Sequence, residues 1–226
     1  MFKELALELA VKSLDKNSDP QLIIETAKKF LEFLENTKKD MTQKEFIESL
    51  FIISPYGGIV SLKLNEKQEK ALDHINEYQN SFVVFKERQK GLSTIMNAYA
   101  VWYALKHANS CVFILTPNYN MAQYNRTAIV DMLNGKIKLK ENNKHLIRFN
   151  NDSTIHSCKV YSNATRGMKI DLLLFADYEF VSHSLTNDII PCILPQTKKT
   201  SKTIFYTSEC TNNHPFQQLN YPALVV

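Results

Sequence analysis

The residues best able to do chemistry in this chain gather in one basic run, Lys86-Glu87-Arg88-Gln89-Lys90-Gly91-Leu92-Ser93-Thr94. It lies between an apolar segment and a helix-forming one, a setting that suits an anionic ligand. Backbone N–H groups and the positive end of the helix converge there on anionic oxygens. Gly91 permits close approach of the backbone, and Ser93 or Thr94 supplies a hydroxyl that can ligate Mg2+. The pattern Gly-x-x-x-x-Gly-Lys-[Ser/Thr] is not met, because Lys86 replaces its first glycine and Leu92 its lysine. Lys86, at the strand end, could reach back over the turn to the β- and γ-phosphates of a nucleotide. Lys90 is the rival donor, and Arg88 could clamp phosphate through two parallel hydrogen bonds. The plainer alternative is a basic strand-to-helix turn that faces water.

The elements that must hold this turn are legible from periodicity. Residues 81–85, 111–115, 172–176 and 203–207 are short apolar, β-rich runs, and 145–149 and 154–161 are more mixed strands. Helical segments cover 65–76, 93–107 and 122–133, the first capped by Asn65. Fully apolar strands separated by helices predict a parallel sheet covered on both faces. The lysine-rich stretch 136–144 is expected to be a surface loop. Residues 1–54 predict a helical subdomain of three amphipathic helices, with Asp19-Pro20 opening the second. Thr42 and Glu45 form a capping-box pattern for the third, which is expected to run through Phe46, Leu50 and Phe51. The break at Ser54-Pro55-Tyr56-Gly57-Gly58 sets the boundary with a second domain, 55–226.

Composition sets the outer limits. With 44% hydrophobic and 22% charged residues the chain is ordinary for a soluble globular protein, and its net charge of +4 permits contact with nucleic acid without requiring it. Cys111, Cys158, Cys192 and Cys210 are too far apart for a zinc knuckle and read as free thiols. No apolar run approaches the roughly 18 residues needed to span a bilayer. The N-terminus has the charge spacing of an amphipathic helix rather than a signal peptide.

The run Arg88-Gln89-Lys90-Gly91-Leu92-Ser93-Thr94 resembles the deviant phosphate loop of tailed-bacteriophage terminase large subunits, several of which carry the lysine at the start of the loop. Tyr56-Gly57-Gly58, Leu64 to Gln68, Thr116-Pro117-Asn118, Arg166-Gly167 and Thr207-Ser208 extend the likeness in order over about 150 residues. The resemblance implies a P-loop NTPase of the additional-strand type, with an acidic strand between the phosphate-loop strand and the second apolar strand. It also implies ATP and Mg2+ as cofactors. Gln68 would read adenine, although its place at the third position of a capped helix explains it equally. Lys86 would hold phosphate, Ser93 would ligate magnesium, and Arg88 would sense the γ-phosphate within its own subunit. Arg166 would act as a finger on a neighbouring subunit, and Thr207 and Ser208 would couple hydrolysis to movement.

The acidic strand departs from that family. Aligned without a gap, its metal carboxylate falls on Ala176 and its catalytic glutamate on Asp177. Asp177 could serve the metal while Glu179 polarises water, provided the strand continues that far. Otherwise Asp177 acts alone, or the chain has become a binding module for nucleotide, DNA or protein. As an intact motor it would couple ATP hydrolysis to translocation of double-stranded DNA into a procapsid. Its partners would be the duplex, a portal, a small terminase subunit and further copies of itself in a ring, in the host cytoplasm and transiently at the procapsid. The family's second, RNase H-like nuclease domain has no counterpart here, which leaves three readings open: an excised piece, a split-gene product whose nuclease is a separate chain, or a free-standing relative. The last residues are expected to form an irregular tail.

Overall fold

The computed structural model describes residues 41–53, 58–133, 137–144, 146–161, 164–182, 184, 186, 192–194, 197–208 and 219–226. The chain divides into two compact units, Met1–Phe46 and Ile47–Val226. The helices expected over residues 1–40, the Tyr56-Gly57 pair and Cys210 lie outside the described residues.

Helix α1 (Gln43–Glu48) opens with the expected box: the Thr42 backbone N–H donates to Glu45 at 2.7 Å, and the Glu45 N–H donates to the Thr42 hydroxyl at 3.3 Å. It does not run through Phe51, which belongs to β1 (Phe51–Ile53), paired antiparallel with β2 (Ile59–Ser61). Phe-Ile-Ile is an aromatic and β-branched run, and its preference for extended backbone ends the helix there. The remaining elements follow as α2 (Glu66–Glu77), β3 (Asn80–Val84), α3 (Leu92–Lys106), β4 (Cys111–Thr116), α4 (Tyr119–Leu133), β5 (Leu139–Asn142), β6 (Leu146–Phe149), β7 (Thr154–Lys159), β8 (Ile170–Ala176), β9 (Thr197–Thr207) and β10 (Ala223–Val225).

Among the described residues, eight strands form one sheet in the order β10-β3-β9-β8-β4-β7-β6-β5. The pairs from β10 to β7 are parallel, and β7–β6 and β6–β5 are antiparallel. Two expectations are corrected. The stretch 136–144 is not all loop, because Leu139–Asn142 adds an edge strand to β6. Lysine is common at such edges, where charge discourages pairing with another chain. The terminal residues are not an irregular tail, since Ala223–Val225 lie parallel to Phe82–Val84. The acidic strand β8 does lie between β3 and β4, but β9 stands between β8 and β3.

Alternation along these strands sends one set of side chains to each face. On one face Phe82, Phe113, Leu173, Phe175 and Phe205 join Tyr178 in a buried cluster. Phe175 and Phe205 stack at 4.6 Å between centroids, and Phe82 lies 5.0 Å from Phe205. Helix α3 packs against β4, β7 and β8. It is apolar nearly all round, with Leu92, Ile95, Met96, Ala98, Tyr99, Ala100, Val101 and Ala104 buried, as expected of a helix enclosed by its neighbours.

One buried titratable group gives this fold a pH dependence. His156, on β7, stacks on Phe113 at 4.6 Å with nearly parallel rings, and burial pushes its imidazole from 6.5 down to about 4. The folded chain therefore favours the neutral ring. That stability is complete above the ordinary value near 6.5 and is lost as pH falls toward about 4. Denaturation midpoints should drop across this window in the wild type and drop less in His156→Phe. Parallel pH curves for the two proteins would show that His156 is not the group responsible.

Candidate functional site

The basic turn that is the candidate phosphate site is built where β3 ends. The Phe85 N–H donates to the Thr207 carbonyl at 3.2 Å, so the chain leaves the sheet beside the end of β9. Gln89 and Gly91 both take left-handed backbone, φ 60 and φ 76, and Gly91 is the residue from which α3 starts. A side chain at Gly91 would be strained by that φ and would also stand 2.5 Å from Gln68 Nε2.

That contact shows what Gln68 does. Its Oε1 accepts the Asn65 N–H at 3.1 Å, its own N–H donates to Asn65 Oδ1 at 3.0 Å, and its Nε2 donates to the Gly91 carbonyl at 3.0 Å. Asn65 Nδ2 reaches the Lys90 carbonyl at 3.4 Å. The capping box of α2 thus pins the basic turn through the Lys90 and Gly91 carbonyls, and Gln68 is only 4% exposed. The role of Asn65 as an anchor was not legible in the sequence, where it signalled only a helix start.

A cleft of about 470 Å³ opens above the turn, lined by Glu87, Arg88, Gln89, Lys90, Gly91, Leu92, Ser93, Thr94, Met121, Asp177, Phe180 and Ser208. Four segments distant in sequence therefore meet there: the turn, the start of α4, the residues that follow β8 and the end of β9. Met121 is set in place by Asn118, whose Oδ1 accepts its N–H at 3.0 Å. The Thr-Pro-Asn sequence marks that turn but not the methionine, and Phe180 was likewise unforeseen.

The cations divide unevenly. Arg88 and Lys90 line the cleft, whereas Lys86 is exposed and not among its lining residues, its N–H donating to the Val226 carbonyl at 2.8 Å. Glu87 bridges two lysines, Lys67 at 3.1 Å and Lys90 at 3.0 Å, and these contacts hold its carboxyl below the usual range. Leu92, in the position of the usual lysine, is a buried core residue at the first turn of α3. Ser93 and Thr94 stand beside it in the cleft.

Strand β8 ends at Ala176, and the condition on which Glu179 would point with Asp177 is not met. Asp177 itself takes φ 48, ψ 46 and starts a 3-10 turn, Tyr178–Phe180. Its N–H donates to the Tyr206 carbonyl at 2.7 Å, and Asp177 lines the cleft while Glu179 does not. Burial raises the Asp177 carboxyl above its ordinary value, and the Arg88 guanidinium pulls it the other way. Ala176 is buried and paired with Tyr206, whose buried hydroxyl has no hydrogen-bond partner among the described residues. Thr207 is fully buried at the end of β9, and Ser208 beside it lines the cleft. Arg166 is exposed in the turn before β8 and is not a lining residue.

Magnesium needs few protein ligands when phosphate oxygens and water complete its shell. Ser93 and Asp177 share one cleft and fit that requirement, and no group of three or more metal-binding side chains occurs among the described residues. The donor set therefore suits a metal carried in with phosphate.

No protein-family model and no curated protein matches the sequence. Solved structures do match the fold. The HK97 bacteriophage large terminase superposes on 78% of this chain with a TM-score of 0.62 at 14% identity, and the Thermus phage P74-26 large terminase ATPase domain on 67% with 0.50 at 14%. The fold is that of a large-terminase ATPase domain. S. cerevisiae Dbp5, solved with ADP, shares it over 73% of the chain, with a TM-score of 0.53 and 13% identity. The mostly parallel sheet with helices packed on it, expected from the sequence, is therefore present. The chain spans 39% of the HK97 protein, 49% of the Dbp5 chain and 67% of the isolated ATPase domain. It spans 46% of the large terminase of a thermophilic bacteriophage. Among the described residues no helix is long and apolar enough to cross a membrane.

Proposed function

We propose that this chain is the ATPase part of a terminase-like motor, binding ATP with Mg2+ and using its hydrolysis to drive double-stranded DNA into a procapsid. The observation that carries the reading is the meeting of Arg88, Lys90, Ser93, Asp177 and Ser208 in one cleft beside a helix N-terminus. A large terminase of the same fold was solved with ADP and with ATP-γ-S, at TM-scores of 0.55 and 0.54.

In this proposal the N–H groups of the turn and the first turn of α3 receive the phosphates, and Arg88 and Lys90 neutralise them. Lys86 joins if its stem swings inward from the loop entrance. Ser93 and Asp177 hold the metal, which lowers the charge on the phosphate oxygens when bound. Asp177 also orients the attacking water, being the carboxylate at the end of β8 that lines the cleft. Glu179 is left outside the reacting groups. Ser208 and Thr207 link the site to β9, and Arg166 serves a neighbouring copy in a ring. Residues 1–54, DNA, the portal, the small terminase subunit and a separate nuclease chain complete the assembly proposed for the host cytoplasm. One observation favours a second reading, a nucleotide-binding module that hydrolyses little: the methyl of Ala176 occupies the expected carboxylate position.

Calorimetry with Mg-ATP, followed by turnover assays with and without DNA and portal, separates the two. Arg88→Ala should weaken binding by about 1.5–3 kcal/mol, the worth of a hydrogen bond to a charged group, and Lys90→Ala by less, because Glu87 already engages that lysine. Wild-type affinity in the arginine variant would remove Arg88 from the site. Tight binding without turnover in the assembled complex would favour the module.

A further inference from the structure

We infer that the site reads the triphosphate and not the base, so that it accepts purine and pyrimidine nucleoside triphosphates with similar affinity. This rests on the nucleotide-site reading above and adds its substrate class. Recognition of a base edge requires hydrogen-bonding groups that face the ligand and are otherwise unsatisfied. The residue expected to supply them, Gln68, is engaged within the molecule and turned away from the cleft. Its carbonyl oxygen accepts the Asn65 N–H and its amide donates to the Gly91 carbonyl, both within the molecule. It is 4% exposed and not among the residues lining the cleft. Turning that amide toward a ligand would break the capping box of α2 and release the turn whose geometry receives phosphate.

The amide side chain among the lining residues, Gln89, belongs to the turn itself, whose backbone stands at φ 60 there between Arg88 and Lys90. Among the described residues, the charged and hydroxyl groups of the cleft come from that turn, from the start of α3, and from Asp177 and Ser208 at the ends of β8 and β9. Its apolar surface includes Met121 and Phe180. A thioether and a phenyl ring make contacts that any base can satisfy, since every base presents a π-face. Gln68 is therefore a positioning residue for the turn.

The test is calorimetric titration of the whole chain, in Mg2+, with ATP, GTP, CTP, UTP and inorganic tripolyphosphate. The four nucleotides should bind within about threefold of one another, less than one neutral hydrogen bond contributes. Gln68→Ala should weaken all five ligands by a similar factor, tripolyphosphate included. An ATP preference of about tenfold or more, or a Gln68→Ala loss confined to ATP, overturns the inference and leaves the nucleotide site standing. Failure of all five ligands to bind the folded wild type overturns the nucleotide site and the inference together. The wild-type comparison holds whether or not the variant folds.

Discussion

Asp177→Asn is expected to lower ATP turnover by about 100-fold or more, the usual share of a positioned acid or base, while leaving the protein no less stable at neutral pH. The first half follows from geometry: Asp177 is the carboxylate that β8 delivers to the cleft, and an amide can neither accept the proton of water nor hold a metal comparably. The second half follows from two environmental facts. The residue sits at φ 48, a conformation that asparagine tolerates as well as aspartate. Burial also raises its carboxyl pKa. For an acid, a folded value above the unfolded one means that stability present below the ordinary carboxylate range is lost as pH rises through the raised value. At neutral pH the ionised group is thus held at a cost, which the amide does not carry. Thermal denaturation and turnover measured on the same two proteins check both halves. A variant that hydrolyses ATP like the wild type would remove Asp177 from the chemistry, and one that melts far lower would show its role to be structural.

Phe205→Ala should cost about 3–5 kcal/mol of folding stability, the range for a large buried aromatic cut to a methyl group. Phe205 is fully buried and contacts the rings of Phe82, Phe175, Tyr178 and Tyr221, which come from four different segments. Its loss would open a void between β3, β8 and the 3-10 turn, the elements that fix Arg88 and Asp177 relative to each other. Activity should therefore fall along with the denaturation midpoint, whereas Phe205→Leu should recover much of both. A midpoint within a degree or two of wild type would mean that the neighbours collapse into the space.

What the sequence disclosed and what it hid have physical causes. The apolar runs at 81–85, 111–115 and 172–176 read as buried parallel strands because both of their faces are covered. Leu139–Asn142 read as loop because an edge strand can be polar, and Ala223–Val225 because three residues carry no periodicity. At the site, the glycine, the hydroxyls and the basic residues of the turn were visible, since each answers to local geometry. Gln68 was ambiguous locally: the same residue serves as a cap or as a reader, and its bond to the Gly91 carbonyl has no local signal. The condition placed on Glu179, a strand running past Asp177, is not met, because the left-handed backbone of Asp177 turns the chain into a 3-10 helix there, which composition does not announce.

The short strand β10 has a mechanical meaning. Its bonds to β3 run from the Phe82 N–H to Pro222, from the Val226 N–H to Val84, and from the Lys86 N–H to Val226. A load applied at Val226 thus reaches both the end of β3 and the first residue of the basic turn, through a ladder only three residues long. Tension on this strand is thus felt in the turn as well as in the sheet, like a trigger resting against its sear.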